Sequence, residues 1–220
     1  MFEDILLPDR KNIKKTNTED PIDYYYWPFI GYVYKKRLIN TLKLMGSKRW
    51  KRLVEIGYGS GLLFPELAIR SNILFGIDTH KNLDYVYQMT MKEKIDVNLT
   101  IGNVLDLKFD KLFFDCIVSV SLLEHIENLD KAFDELGRVL SPEGRLFISF
   151  PVKNKITNLF YKLMNYDPDE IHPSSHTDII AACKKKFMIE DKIIFPKNVP
   201  LDYALYVSLR CSKKGVDYAQ

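Results

Sequence analysis

The sequence predicts an α/β domain built on a doubly wound, mostly parallel seven-stranded sheet, with an antiparallel hairpin at its C-terminal edge. Three observations carry that expectation. Five short apolar runs alternate with helix-length segments through the middle of the chain, the pattern of parallel strands joined by crossover helices. The last two apolar runs follow one another with Pro196 and Pro200 between them and no helix-length insert, so they can pair only as antiparallel neighbours. A chain of 220 residues suits one large domain rather than two independent ones.

Taken in order, Phe2 to Asp20 is polar and expected to be mobile. An aromatic cluster follows, Tyr24-Tyr25-Tyr26-Trp27-Pro28-Phe29. Apolar residues then fall at Ile30, Val33, Tyr34, Leu38, Leu42 and Met45, a helical stripe ending at Gly46, which suits a left-handed cap. Arg52–Ile56, Ile73–Ile77, Val97–Ile101, Cys116–Val120 and Arg145–Phe150 read as strands buried on both faces. Leu62–Ser71, Asn82–Lys94 and Asp130–Leu140 read as the helices between them. Ser175 and Asp178 form a capping-box pattern that opens a helix to about Lys186. Met188–Phe195 and Tyr203–Cys211 make the hairpin.

Composition removes several function classes. With 32 Lys plus Arg against 29 Asp plus Glu, the net charge of +3 implies neither a broad phosphate-binding face nor a polybasic membrane anchor. Cys116, Cys183 and Cys211 are odd in number and form no CxxC pair, so neither a disulfide framework nor a metal cluster is expected. No signal peptide or membrane span is expected, and a cytoplasmic setting follows.

Chemistry is concentrated around Glu55-Ile56-Gly57-Tyr58-Gly59-Ser60-Gly61, which ends a strand and opens a helix. Alternate glycines let the backbone turn sharply and approach a ligand with no Cβ in the way. The dinucleotide fingerprint needs a small residue at its sixth position, where Leu62 stands, so a pyrophosphate loop is disfavoured. Glu55 would oppose a diphosphate but suits an ammonium or sulfonium. The next strand ends in Gly76-Ile77-Asp78, placing a carboxylate where a ribose diol can be held. Capping the amides near Lys81 is the alternative role for Asp78, and the order of glycine loop then acid favours the ligand role.

These segments, with Ile101-Gly102-Asn103-Val104-Leu105-Asp106, Phe114 to Ile126 and Arg138 to Leu146, resemble the class I S-adenosylmethionine-dependent methyltransferases, in the branch of small-molecule and ubiquinone-biosynthesis-type enzymes. The resemblance runs from about Lys51 to Pro151. It implies a Rossmann-like methyltransferase fold with S-adenosyl-L-methionine as cofactor. Glu55 and the loop residues Gly57, Tyr58, Gly59 and Gly61 would hold the methionine part, and Asp78 the ribose. Asn103 stands where the family often has an aspartate at the adenine amine, with the Val104 amide beside the ring. Ser119 and Ser121, leaving the fourth strand, would border the methionine and the methyl group. Tyr26 is expected to help close the site from the aromatic cluster.

On that basis the chain is one domain: residues 1–48 an N-terminal cap and helix, 49–151 the cofactor-binding core, 152–187 a substrate-covering insertion with its helix, and 188–212 the hairpin. A general base, where one is needed, is most often histidine. His172 is the first candidate and His176 the second. His125 either touches cofactor or orients its loop, and His80 reads as a solvated helix-entry residue. No [ND]-P-P-[YF] or Pro-Cys sequence is present, so DNA is not the expected partner. The expected reaction is methyl transfer to an oxygen or nitrogen of a small metabolite, a lipid or glycan precursor among the options. An RNA or protein acceptor, or a methyltransferase-like module that binds without turnover, are the alternatives. The oligomeric state is not legible, and no metal is expected.

Overall fold

The computed structural model describes residues 5–17, 20–158 and 172–215. The expected insertion therefore lies partly outside the described residues. Seven strands, β1 (Trp50–Ile56), β2 (Ser71–Asp78), β3 (Asn98–Ile101), β4 (Phe114–Val120), β5 (Leu140–Pro151), β6 (Phe187–Phe195) and β7 (Tyr206–Lys213), form one sheet. Their order is β3-β2-β1-β4-β5-β7-β6. The first five strands pair in parallel, and β7 pairs antiparallel with both β5 and β6. Strand order reverses between β1 and β4, which opens a crevice at the carboxyl ends of those strands.

Among the described residues, α1 (Ile22–Tyr25), α2 (Pro28–Met45), α3 (Phe64–Ala68), α4 (Leu83–Glu93), α5 (Leu129–Val139) and α6 (His176–Lys186) flank the sheet. Ile22, Leu38, Leu67 and Met89 pack with Leu53, Val118 and Phe147 on one face of the sheet. Phe133, Leu136, Ile179 and Cys183 pack with Val54, Ile117 and Ile148 on the other. A doubly wound, three-layer arrangement follows directly from these two apolar faces. The α2 stripe ends at Gly46, with φ +67°, whose amide bonds the Leu42 and Lys43 carbonyls. The capping box of α6 is formed in both directions between Ser175 and Asp178. Lys185 and Lys186 at its end pair with Asp130 and Asp134. No described helix is long and apolar enough to cross a membrane.

Three expectations need correction. Residues 5–17 are not a loose tail: Ile13 and Thr16 are buried, the Leu6 amide donates to Glu66 at 2.7 Å, and the Asp9 amide and Asn12 side chain both donate to Glu93. Their polar composition serves hydrogen bonds across the chain. The helix expected over Leu62–Ser71 shrinks to Phe64–Ala68, because Pro65 sets its first turn and Ser71 already pairs with Trp50 in the sheet. β3 is not buried on both faces; it is an edge strand, with Ile101 half exposed. Ser141-Pro142-Glu143-Gly144 forms an irregularity within β5, since Phe114 pairs with Leu140 and Cys116 with Arg145. Gly144 is needed there, because a Cβ would stand 2.6 Å from the Leu140 side chain and 2.9 Å from the Asp115 carbonyl.

Candidate active site

A cavity of about 420 Å³ occupies the crevice, within the range of small-ligand sites. Its floor is the loop after β1. Gly57, Gly59 and Gly61 have φ of +79°, +54° and +77°, conformations that exclude most side chains. Their surroundings differ: a Cβ on Gly61 would stand 2.7 Å from Phe64, whereas nothing lies within 4 Å of one on Gly59. Gly61 is a packing glycine, and the open crest at Gly59 faces the cavity it lines. Asp78, ending β2, accepts the Gly59 amide at 2.8 Å and the His80 amide at 3.2 Å. Each of its oxygens keeps a lone pair for a ligand hydroxyl.

Glu55 is in register with Gly76 of β2 and Val118 of β4 and is buried, with one carboxylate oxygen lacking any partner in the described residues. Burial, with Asp78 adding to it, raises its pKa well above the ordinary carboxyl value. A buried acid with an unmet oxygen at the cavity wall is a receptor for a cation. This orphaned oxygen and the open crest of Gly59 fit the ammonium and backbone of an S-adenosylmethionine molecule.

On the α2 side stands Arg37, which sequence reasoning missed. It is buried, and its Nε donates to the Tyr25 hydroxyl at 2.8 Å, its Nη2 bonds the same hydroxyl, and its Nη1 donates to Ser121 Oγ at 2.6 Å. The Tyr25, Tyr34 and Tyr206 rings surround it at 5.3–5.6 Å. No carboxylate pairs with it among the described residues. Arg37, Tyr25 and Tyr34 all line the cavity. An arginine placed between two stripe positions of an amphipathic helix gives no local sign that it turns inward.

The loop after β4 brings Ser121, Glu124 and His125 to the same cavity, and His172 joins them. The His125 and His172 rings are 5.0 Å apart. Burial, with positive neighbours led by His125, lowers the pKa of His172 to about 3. Its ring is therefore neutral near pH 7, a proton acceptor and a potential ligand. Burial raises the Glu124 carboxyl. Ligand atoms of Glu124, His125 and His172 lie within 4.8 Å of one another, so this trio could hold a divalent metal ion.

Other expected residues stand elsewhere. Tyr26 is not in the cavity wall: its hydroxyl donates to the Pro8 carbonyl at 2.6 Å, and its neighbour Tyr25 takes the inward place. Asn103 uses its side-chain oxygen on the Leu105 amide, and neither it nor buried Val104 lines the cavity. Ser119 is buried in β4 outside the lining. His176 Nδ1 accepts the Lys153 amide, which makes it a strut rather than a cavity group. His80 is not solvated; it is half-buried between Tyr58 and the loop. A wider groove of about 600 Å³ between α5 and α6 holds none of the candidate residues.

A crevice with a glycine crest, a ribose-type acid and a buried anion for a cationic ligand, on this strand order, resembles that of the class I S-adenosylmethionine-dependent methyltransferases. Comparison with known proteins agrees. Residues 54–148 match the family model described as a methyltransferase domain. It is 26% identical to a ubiquinone biosynthesis O-methyltransferase of Coxiella burnetii over 152 residues, spanning 66% of this chain and 65% of that protein. The fold matches a Pyrococcus horikoshii protein with a TM-score of 0.69 at 17% identity, covering 87% of this chain and 99% of that one. It also matches the N-methyltransferase NodS of Bradyrhizobium japonicum, solved with S-adenosyl-L-homocysteine, with a TM-score of 0.65 at 18% identity, covering 91% and 95%.

Proposed function

We propose that this protein transfers a methyl group from S-adenosyl-L-methionine to an oxygen or nitrogen of a small metabolite. The unpaired, buried Glu55 carboxylate beside the open Gly59 crest carries the reading. Glu55 would take the cofactor ammonium, Arg37 its carboxylate, and Asp78 the ribose hydroxyls. A buried acid and a buried guanidinium lining one cavity complement a zwitterion. The cofactor supplies a methyl already activated on sulfur, so the chain's task is to align the acceptor, exclude water and take up a proton.

His172 is the proposed proton acceptor, with His125 beside it; His176 and Tyr26 are better read as structural. Burial keeps the His172 imidazole neutral near pH 7, the form that can accept a proton. The O-methyltransferase name of the sequence relative favours oxygen as the acceptor atom, while the structural neighbour NodS is an N-methyltransferase. Calorimetry tests the reading: S-adenosylmethionine and its demethylated product bind at micromolar levels, and Asp78→Ala weakens both about tenfold or more while the fold persists. Absence of binding by the wild-type protein overturns it. His172→Ala retains cofactor affinity and loses turnover by roughly a hundredfold, the scale of general-base removal; unchanged turnover removes His172 from the role.

A further inference from the structure

We infer that His80 is a positioning residue for the cofactor, clamping the crest of the glycine loop in register with Asp78; the inference rests on the cofactor reading above. Gly59 has both backbone groups committed: its amide donates to Asp78 Oδ2 at 2.8 Å, and its carbonyl accepts from His80 Nε2 at 2.8 Å. The Asn82 amide donates to His80 Nδ1 at 3.2 Å, so the ring is neutral and its proton sits on Nε2. The His80 amide in turn donates to Asp78 Oδ1 at 3.2 Å. Gly59, Asp78 and His80 thus close a ring of hydrogen bonds joining the loop after β1 to the loop after β2. The imidazole stands edge-on to Tyr58, with centroids 5.1 Å apart and planes at 82°.

Buried Tyr58 and Ser60 anchor the loop on either side of the crest, but at Gly59 itself no atom lies within 4 Å of a Cβ position, so its own amide and carbonyl hydrogen bonds orient that peptide over the cavity. Releasing the Gly59 carbonyl would leave the crest hinged on one amide. The Asp78 oxygens would then lose the fixed geometry in which each spends one lone pair on backbone and keeps another for ribose.

Two isosteres separate this role from plain support of the helix entry. Glutamine carries its amide nitrogen about as far out as Nε2 and can still reach Gly59. Asparagine places its oxygen near Nδ1, so it preserves the bond from Asn82 but cannot reach the loop. For S-adenosyl-L-homocysteine measured by calorimetry, His80→Gln binds within about threefold of wild type. His80→Asn and His80→Ala bind about five- to tenfold more weakly, the effect of one hydrogen bond. In the ligand-free protein, amide exchange over Gly59–Gly61 accelerates in the Asn and Ala variants and not in Gln. Wild-type protein that fails to bind overturns the cofactor reading, whereas equal loop exchange in all four proteins overturns the clamp. Gln behaving like Ala also overturns it.

Discussion

At the scale of single residues, Glu55 shows how a binding group destabilises the fold that carries it. Its raised pKa, caused first by burial and then by Asp78, means the folded chain holds a proton there that the unfolded chain releases. A carboxyl whose folded pKa is raised contributes stability that is fully present below the ordinary value of 4.5. That contribution is lost as pH rises through the folded value. Glu55→Gln keeps the shape and removes the charge. Thermal unfolding should give nearly equal midpoints for variant and wild type near pH 4, and a variant that gains relative stability toward pH 7. Cofactor affinity should fall at least tenfold in the same variant. A midpoint difference that stays flat with pH would remove the buried charge as the cause. Glu55, the glycines and Asp78 were legible in the sequence because they are neighbours at strand ends. Arg37 was not, because its partners lie 12 residues before it and 84 after it, and no local pattern encodes such a pairing. Asn103 looked like a ligand contact, but asparagine readily bonds its own turn, as it does here with Leu105.

At the scale of elements, apolar runs identified the seven strands and apolar periodicity α2, while the Ser175 and Asp178 pattern marked the capped start of α6. The amino-terminal strap escaped that logic. Residues 5–17 lie across α3 and α4 mainly by hydrogen bonds to two carboxylates, Glu66 and Glu93. Further on, the Asn82 side chain donates to the Thr16 carbonyl at 2.6 Å. Thr16 and Asn17 then reach the cavity wall. Such a segment reads as a polar tail because its order depends on acceptors supplied by distant helices. Glu93→Ala removes the acceptor of two of these bonds, a loss of about 1–3 kcal/mol locally when the acceptor is charged. Hydrogen exchange should then quicken over residues 5–17 and leave β1 and β4 unchanged, with cofactor affinity falling a few-fold. Unaltered exchange in the strap would mean that Ile13 and Thr16, both buried, hold it without Glu93.

At the scale of the whole molecule, the cavity is a meeting point of parts remote in sequence: the strap and α1, α2, the loops after β1, β2 and β4, and His172. A ligand that binds there touches α1, α2 and the loops at the carboxyl ends of β1, β2 and β4, so its free energy should stabilise these parts together. At a ligand concentration one hundred times its dissociation constant, the stabilisation is about 2.7 kcal/mol. For a chain of this size that corresponds to a rise of roughly 5–11 °C in the unfolding midpoint. The rise should be larger at pH 7 than at pH 5, because the ligand's ammonium pairs with Glu55 only once its carboxyl is ionised, and protonation at lower pH competes with binding. Differential scanning calorimetry with S-adenosyl-L-homocysteine at the two pH values measures this directly. A shift that is unchanged between them, or larger at pH 5, would place the ammonium elsewhere. In Glu55→Gln the pH dependence should weaken along with most of the shift, since the carboxyl that pairs with the ammonium is gone.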